Sequence, residues 1–184
     1  MTDAAHTHDN TPLDTFSQCH AGILSHLRGF AELPALLDPA ARARQVAADM
    51  LGFFREAVFE HHAEEERELF PAVLASATPG DEHAYVQAIT DRLTREHRQV
   101  EAAWARIEPA LKHVAKGQDS LLDPLAVATL VSTYQAHATY EEQVFLPLSE
   151  AILARNPNHM AALGVSLHLR HAMPGVMAKY GSRI

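Results

Sequence analysis

One metal-ligand pattern is written twice in this chain, and no other feature limits its fold as much. The runs His61-His62-Ala63-Glu64-Glu65-Glu66-Arg67-Glu68-Leu69-Phe70-Pro71 and His137-Ala138-Thr139-Tyr140-Glu141-Glu142-Gln143-Val144-Phe145-Leu146-Pro147 share His-x-x-x-Glu-Glu-x-x-apolar-apolar-Pro, offset by 76 positions. His20 and His97 form a second pair, offset by 77; His20 precedes His61 by 41 residues and His97 precedes His137 by 40. Two such halves are expected to form two helical hairpins, each with His on its first helix and His-x-x-x-Glu on its second. Folded together, they aim four imidazoles and two carboxylates at one point.

Apolar periodicity and turn residues support an all-α reading. Residues 1–12 are small and polar and read as a flexible tail. Phe16, Ile23, Leu24, Leu27 and Phe30 recur at helical spacing up to Leu33, where Pro34 is expected to end the first helix. Asp38-Pro39 is a cap followed by proline, predicting a second helix to about Ser76, kinked or shortened at Pro71. Thr78-Pro79-Gly80-Asp81 is a turn, and Val86, Ile89, Leu93, Val100 and Trp104 mark a third helix to about Lys116, closed by a C-cap glycine at Gly117. Asp123-Pro124 repeats the cap-then-proline start for a fourth helix to about Arg155. Residues 13–155 are thus expected to form the bundle, and 156–184 an additional C-terminal helix on its flank or at a homodimer contact. His61 to Ser76 and Glu82 to His97 each span 15 residues, or about 23 Å of helix, so those two histidines should meet across the second turn.

Each of the four histidines sits one turn from apolar neighbours, as in Phe16–His20–Leu24 or Leu93–His97–Val100. Glu65 and Glu141 lie at i+4 from His61 and His137 and share their faces. Two carboxylates and four imidazoles are costly to bury without partners; a cation removes that cost, and a carboxylate bridges two metals while imidazoles fill terminal positions. A lone histidine on an apolar face is more often a hydrogen-bonded core residue, but chance would have to repeat the whole pattern. His26, His83, His113 and His159 lack a carboxylate one turn later and read as surface residues. His62, one position off the ligand stripe, reads as a surface or supporting residue, and His168 and His171 fall outside the repeat.

The bulk composition removes several functions. A formal charge of −8 argues against nucleic acid or an anionic membrane as partner. Charges interrupt every apolar stretch well short of a membrane span, and no basic segment followed by an apolar one opens the sequence. A single cysteine, Cys19, forms no internal disulfide and fits a reducing cytoplasm.

His20, the His61-His62-x-x-Glu65-Glu66-x-x-Leu69-Phe70-Pro71 run, Glu96-His97 and His137-x-x-x-Glu141-Glu142 together resemble the hemerythrin-like cation-binding (HHE) domain over about residues 13–150. The resemblance implies an up-down-up-down four-helix bundle holding two non-haem irons bridged by carboxylates, with zinc or manganese ranking behind iron. It also implies the ligand set His20, His61, Glu65, His97, His137 and Glu141. Oxygen-carrying hemerythrins place two histidines on the third helix and an aspartate five residues after the fourth-helix histidine. Here the third helix offers only His97, with Glu101 as a candidate for the missing ligand, and Glu141 stands at i+4 with Glu142 at i+5.

The expected function is therefore a di-iron protein that reacts with or senses dioxygen, peroxide or a similar small molecule, including peroxidase- or catalase-like turnover. An iron-binding or sensing module without turnover would use the same ligands, and a reversible oxygen carrier is the further alternative. A ferritin-like oxidase fails on order, since that class places Glu-x-x-His on two helices.

Overall fold

The computed structural model describes residues 12–155. Among them every regular element is helical, and side chains are described from residue 20 onward. The expected tail, the C-terminal helix, His159, His168 and His171, and the side chain of Cys19 lie outside what is described. No helix of the described residues is long and apolar enough to cross a membrane.

Where two helices were expected before residue 76, one run continues. Helix α1 (Pro12–Phe53) passes through both Pro34 and Pro39. Each proline lacks the N–H that would bond the carbonyl four residues back, at Phe30 and Ala35. Residues 20–46 are all exposed, so water can serve those carbonyls and the helix is not forced to end. Asp38-Pro39 is thus no helix start, and the described residues hold three helical runs rather than the four of the expected bundle. The chain divides into two compact units within α1, between Ala43 and Arg44. In the first unit Ile23, Leu24, Leu27 and Phe30 are exposed.

The second unit contains the repeated motif. After α1 the run continues through a wide π turn, π1 (Phe54–Val58), then α2 (Phe59–Glu64), a second wide turn π2 (Glu65–Leu69) and α3 (Phe70–Ser76). Helix α4 (Asp81–Ala115) follows the turn at Gly80, whose φ of 108° suits glycine. It closes at Gly117 (φ 70°), where Gln118 N–H bonds the His113 carbonyl and Gly117 N–H the Val114 carbonyl, the double bond pattern of a glycine C-cap. Asp123 caps α5 (Pro124–Tyr140) by accepting from Leu125 N–H at 2.9 Å, as the cap-then-proline signal predicts. A third wide turn, π3 (Glu141–Phe145), leads into α6 (Leu146–Leu153).

The turns π2 and π3 explain why both copies of the motif end in proline. In each, an N–H reaches five residues back, from Phe70 to the Glu65 carbonyl and from Leu146 to the Glu141 carbonyl. The next residue is Pro71 or Pro147, which has no N–H to donate, and widening the turn before it admits the ring without breaking the helix. The run therefore continues past Pro71 to Ser76. The wide turns begin at the two glutamates, so the device that accommodates proline also sets the register of the site.

Two apolar clusters hold the three runs together. Leu69, Phe70, Val73, Val86, Ile89, Leu93, Phe145, Ile152 and Leu153 form one. Ala47, Phe54, Val58, Val100, Trp104, Ile107, Leu111 and Leu130 form the other, with Phe54 stacked on Trp104 at 3.9 Å between ring centroids. Along each run the ligand-type residues fall between the two: positions 61–65 between Val58 and Leu69, His97 between Leu93 and Val100, and positions 137–141 between Leu130 and Phe145. A polar layer is thus clamped between two apolar ones.

Candidate metal centre

The polar layer is almost wholly buried. Glu65, His62, His97 and His137 are at most 2 % exposed and Glu141 is 6 % exposed, while the His61 side chain is a third exposed. Glu142 is exposed, so of the two acids after His137 it is Glu141 that turns inward. Five buried side-chain atoms in this layer have no hydrogen-bond partner: both ring nitrogens of His62, Nε2 of His97, Nε2 of His137 and one Glu65 oxygen. Each unpaired buried polar group costs on the order of 1–3 kcal/mol. Five at one place in a sheet-free core of this size mark a site built for something else to bind.

The outer edge of the layer is, by contrast, fully tied. His97 Nδ1 lies 2.8 Å from Glu66 Oε1, and the other Glu66 oxygen is bonded by Arg98. His137 Nδ1 lies 3.3 Å from Glu96 Oε2, whose partner oxygen accepts from Arg92 Nε at 2.7 Å. A carboxylate on Nδ1 fixes the proton there, leaving the Nε2 lone pair directed inward, which is the arrangement by which metal-binding histidines are oriented.

Glu65 sits between the imidazoles. Its two oxygens stand 3.3 Å from His61 Nε2 and 3.2 Å from His97 Nε2, close approaches from different helices. Glu141 approaches His137 Nε2 at 3.7 Å, and its carboxylate lies with an oxygen within 4.8 Å of a Glu65 oxygen. Two groups of potential ligand atoms result, His62–His97–His137 and His61–Glu65–Glu141, the atoms within each group all lying within 4.8 Å of one another. Two ligands on one ion at about 2.1 Å each are at most about 4.2 Å apart, so side-chain shifts below about 1 Å seat a cation in either group. The donor set, imidazole on one side and carboxylate plus imidazole on the other, suits a borderline transition metal such as iron or zinc.

Electrostatics agree with a site waiting for a cation. Burial raises Glu65 to about 7 and Glu141 to about 8, the latter also through its hydrogen bond with Glu65. Burial lowers His61 and His137, and pushes His62 down to about 2, so these imidazoles stay neutral as ligands must. Tyr134, its ring centroid 6.0 Å from that of His137, is held protonated by burial and by Glu141 and Glu65.

Of the residues singled out from sequence, the structure brings together His61, Glu65, His97, His137 and Glu141. His20 is an exposed residue of α1 in the first unit and belongs to neither group. Glu101 lies 2.5 Å from Arg98 in an ion pair, also outside both groups. His26, His83 and His113 are exposed as expected. His62 is the correction: expected at the surface or in a supporting role, it is buried and stacked on His97 at 3.9 Å. The π1 turn adds a residue before it and moves the inward register from His61 toward Val58–His62–Glu65–Leu69. No proline marks π1, and the only sequence signal is that 58–62–65–69 spacing.

The profile described as the hemerythrin HHE cation binding domain matches residues 11–149. An uncharacterised protein of Haemophilus influenzae is 25 % identical over 160 residues, covering 83 % of this chain and 90 % of that protein. No solved structure matches.

Proposed function

Because the chain belongs to the hemerythrin HHE cation-binding domain family, we propose that its buried layer holds two iron ions and reacts there with dioxygen, peroxide or a related small oxidant. The observation that carries this reading is the pair of inward, unpartnered Nε2 atoms of His97 and His137, each fixed by a carboxylate on the opposite nitrogen, facing a glutamate that reaches two imidazoles at once. His61, His97 and His137 would be terminal ligands, and Glu65 and Glu141 would bridge; His20 completes the set proposed from the family pattern.

A pair of irons, when bound, supplies one electron each to an oxidant. The remaining work falls to the chain's own groups. Glu66 and Glu96 hold the ligand rings in one tautomer, and Arg98 and Arg92 hold those carboxylates in turn. The two apolar clusters keep bulk water from the layer. The proton between Glu65 and Glu141 must leave for both carboxylates to serve as anionic ligands, so loading releases it. Tyr134 keeps its hydroxyl proton beside His137 and is placed to donate to an anionic ligand.

A carboxylate-rich shell with one histidine on α4 favours the oxidised metal pair over reversible carriage. Iron-loaded protein is reduced anaerobically, exposed to oxygen, and then degassed while its spectrum is followed. Irreversible oxidation, with peroxide consumed catalytically on addition, supports this function. Full return of the ferrous spectrum would make the protein a carrier, and stable ferrous protein indifferent to both oxidants would make it a binding module.

A further inference from the structure

His62 has no assigned role in the repeat, yet it is the buried imidazole with the least to hold it. Its side chain is 1 % exposed and neither Nδ1 nor Nε2 has a partner. His97 and His137, equally buried, each have Nδ1 tied to a carboxylate. A structural core histidine needs at least one such bond to offset the loss of water from its nitrogens. His62 lacks one on either side.

We propose that His62 is itself a metal ligand, supplying from α2 the imidazole that α4 lacks beside His97. The inference rests on the binuclear reading above and assigns its two halves. His62, His97 and His137 hold one cation, and His61 holds the other, with Glu65 and Glu141 between them.

The proximity of the ligand atoms fits this division. His62 lies face to face with His97, at 3.9 Å and 5° between planes, and edge-on to His137 at 5.5 Å. Each lone pair lies in its ring plane, so a common ion requires the stacked His62 and His97 rings to tilt toward each other, while the edge-on His137 offers a third position. The three residues form one of the two groups whose ligand atoms lie within 4.8 Å of one another. His61 and His62 are consecutive, so they point about 100° apart around the helix and cannot readily serve one ion. They can serve two ions in neighbouring positions, and their ring centroids are 5.9 Å apart. The same division explains why the site does without a second histidine on α4: the π1 turn has rotated one in from the neighbouring run.

The test compares wild type with His62→Phe, which keeps an aromatic ring on His97 but no ligand atom. Both are loaded anaerobically with excess ferrous iron, desalted, and examined for iron per chain and by Mössbauer spectroscopy. The expected result is two irons in the wild type, and in the variant one iron with the spectral component of the imidazole-rich site lost. Two irons with unchanged Mössbauer parameters in folded His62→Phe would overturn the role of His62 and leave the binuclear site standing. A wild type that takes up one iron or none would overturn both. Should the variant fail to fold by circular dichroism, a crystal structure of the iron-loaded wild type decides: a His62 nitrogen within about 2.0–2.2 Å of a metal supports the assignment, and a separation beyond bonding distance refutes it.

Discussion

Glu65 and Glu141, which begin the two π turns at matching points of the sequence repeat, meet in the polar layer with carboxylate oxygens within 4.8 Å of each other. Two carboxyl groups so placed retain a proton at neutral pH unless a cation replaces it.

The pH dependence of the metal-free protein follows. Both glutamates are raised above their ordinary 4.5, to about 7 and about 8. The folded state therefore binds their protons more tightly than the unfolded state, and the stability they lend is full below 4.5 and lost as pH rises through 7 and 8. His61, His62 and His137 are lowered from 6.5, so their contribution is present above 6.5 and lost as pH falls below it. Metal-stripped protein should melt highest at about pH 5–6.5 and several degrees lower at about pH 8.5. Metal-loaded protein, with both carboxylates ionised as ligands, should lose that alkaline decline. Calorimetric scans across this range check the difference; superimposable apo and loaded profiles would count against the shared proton.

Glu66→Gln and Glu96→Gln should each weaken metal binding by about 10–100-fold without abolishing it, because His97 and His137, the proposed ligands, lose the carboxylate that orients them. Competition against a coloured chelator measures this. An unchanged affinity in both variants would mean that the Nδ1 contacts do not position the rings.

Much of this centre was legible in the sequence, and the exceptions have physical causes. The four-residue spacing of His61–Glu65 and His137–Glu141 survives because each pair lies within continuous helix. Equal chain lengths on either side of Gly80 place positions 61–62 level with His97. The inward face at His61-His62 was misjudged because a π turn shifts register by one residue and leaves no obligatory sequence mark. Pro34 and Pro39 were misleading for the opposite reason: proline weakens an exposed helix but stops it only where the freed carbonyl cannot reach water. Gly117 and Asp123-Pro124 were reliable, since a positive φ and a side-chain cap are local requirements.

The apolar clamp around the layer can be tested apart from metal. Trp104 is 4 % exposed and stacks on Phe54, so Trp104→Ala should cost about 3–5 kcal/mol in urea unfolding. His137→Ala should cost little in the metal-free state, since it removes an imidazole with an unpartnered nitrogen, yet should abolish the extra stability conferred by metal. A variant pattern in which His137→Ala destabilises the metal-free protein as much as Trp104→Ala would show that the polar layer is structural rather than reserved for a cation.

Whether this layer takes up two metals is decided by an anaerobic ferrous titration followed by calorimetry and direct iron analysis. Saturation at two irons per chain is expected, with protons released on binding and a higher melting temperature afterwards. Saturation at one iron per chain, or no uptake by folded protein, would contradict it.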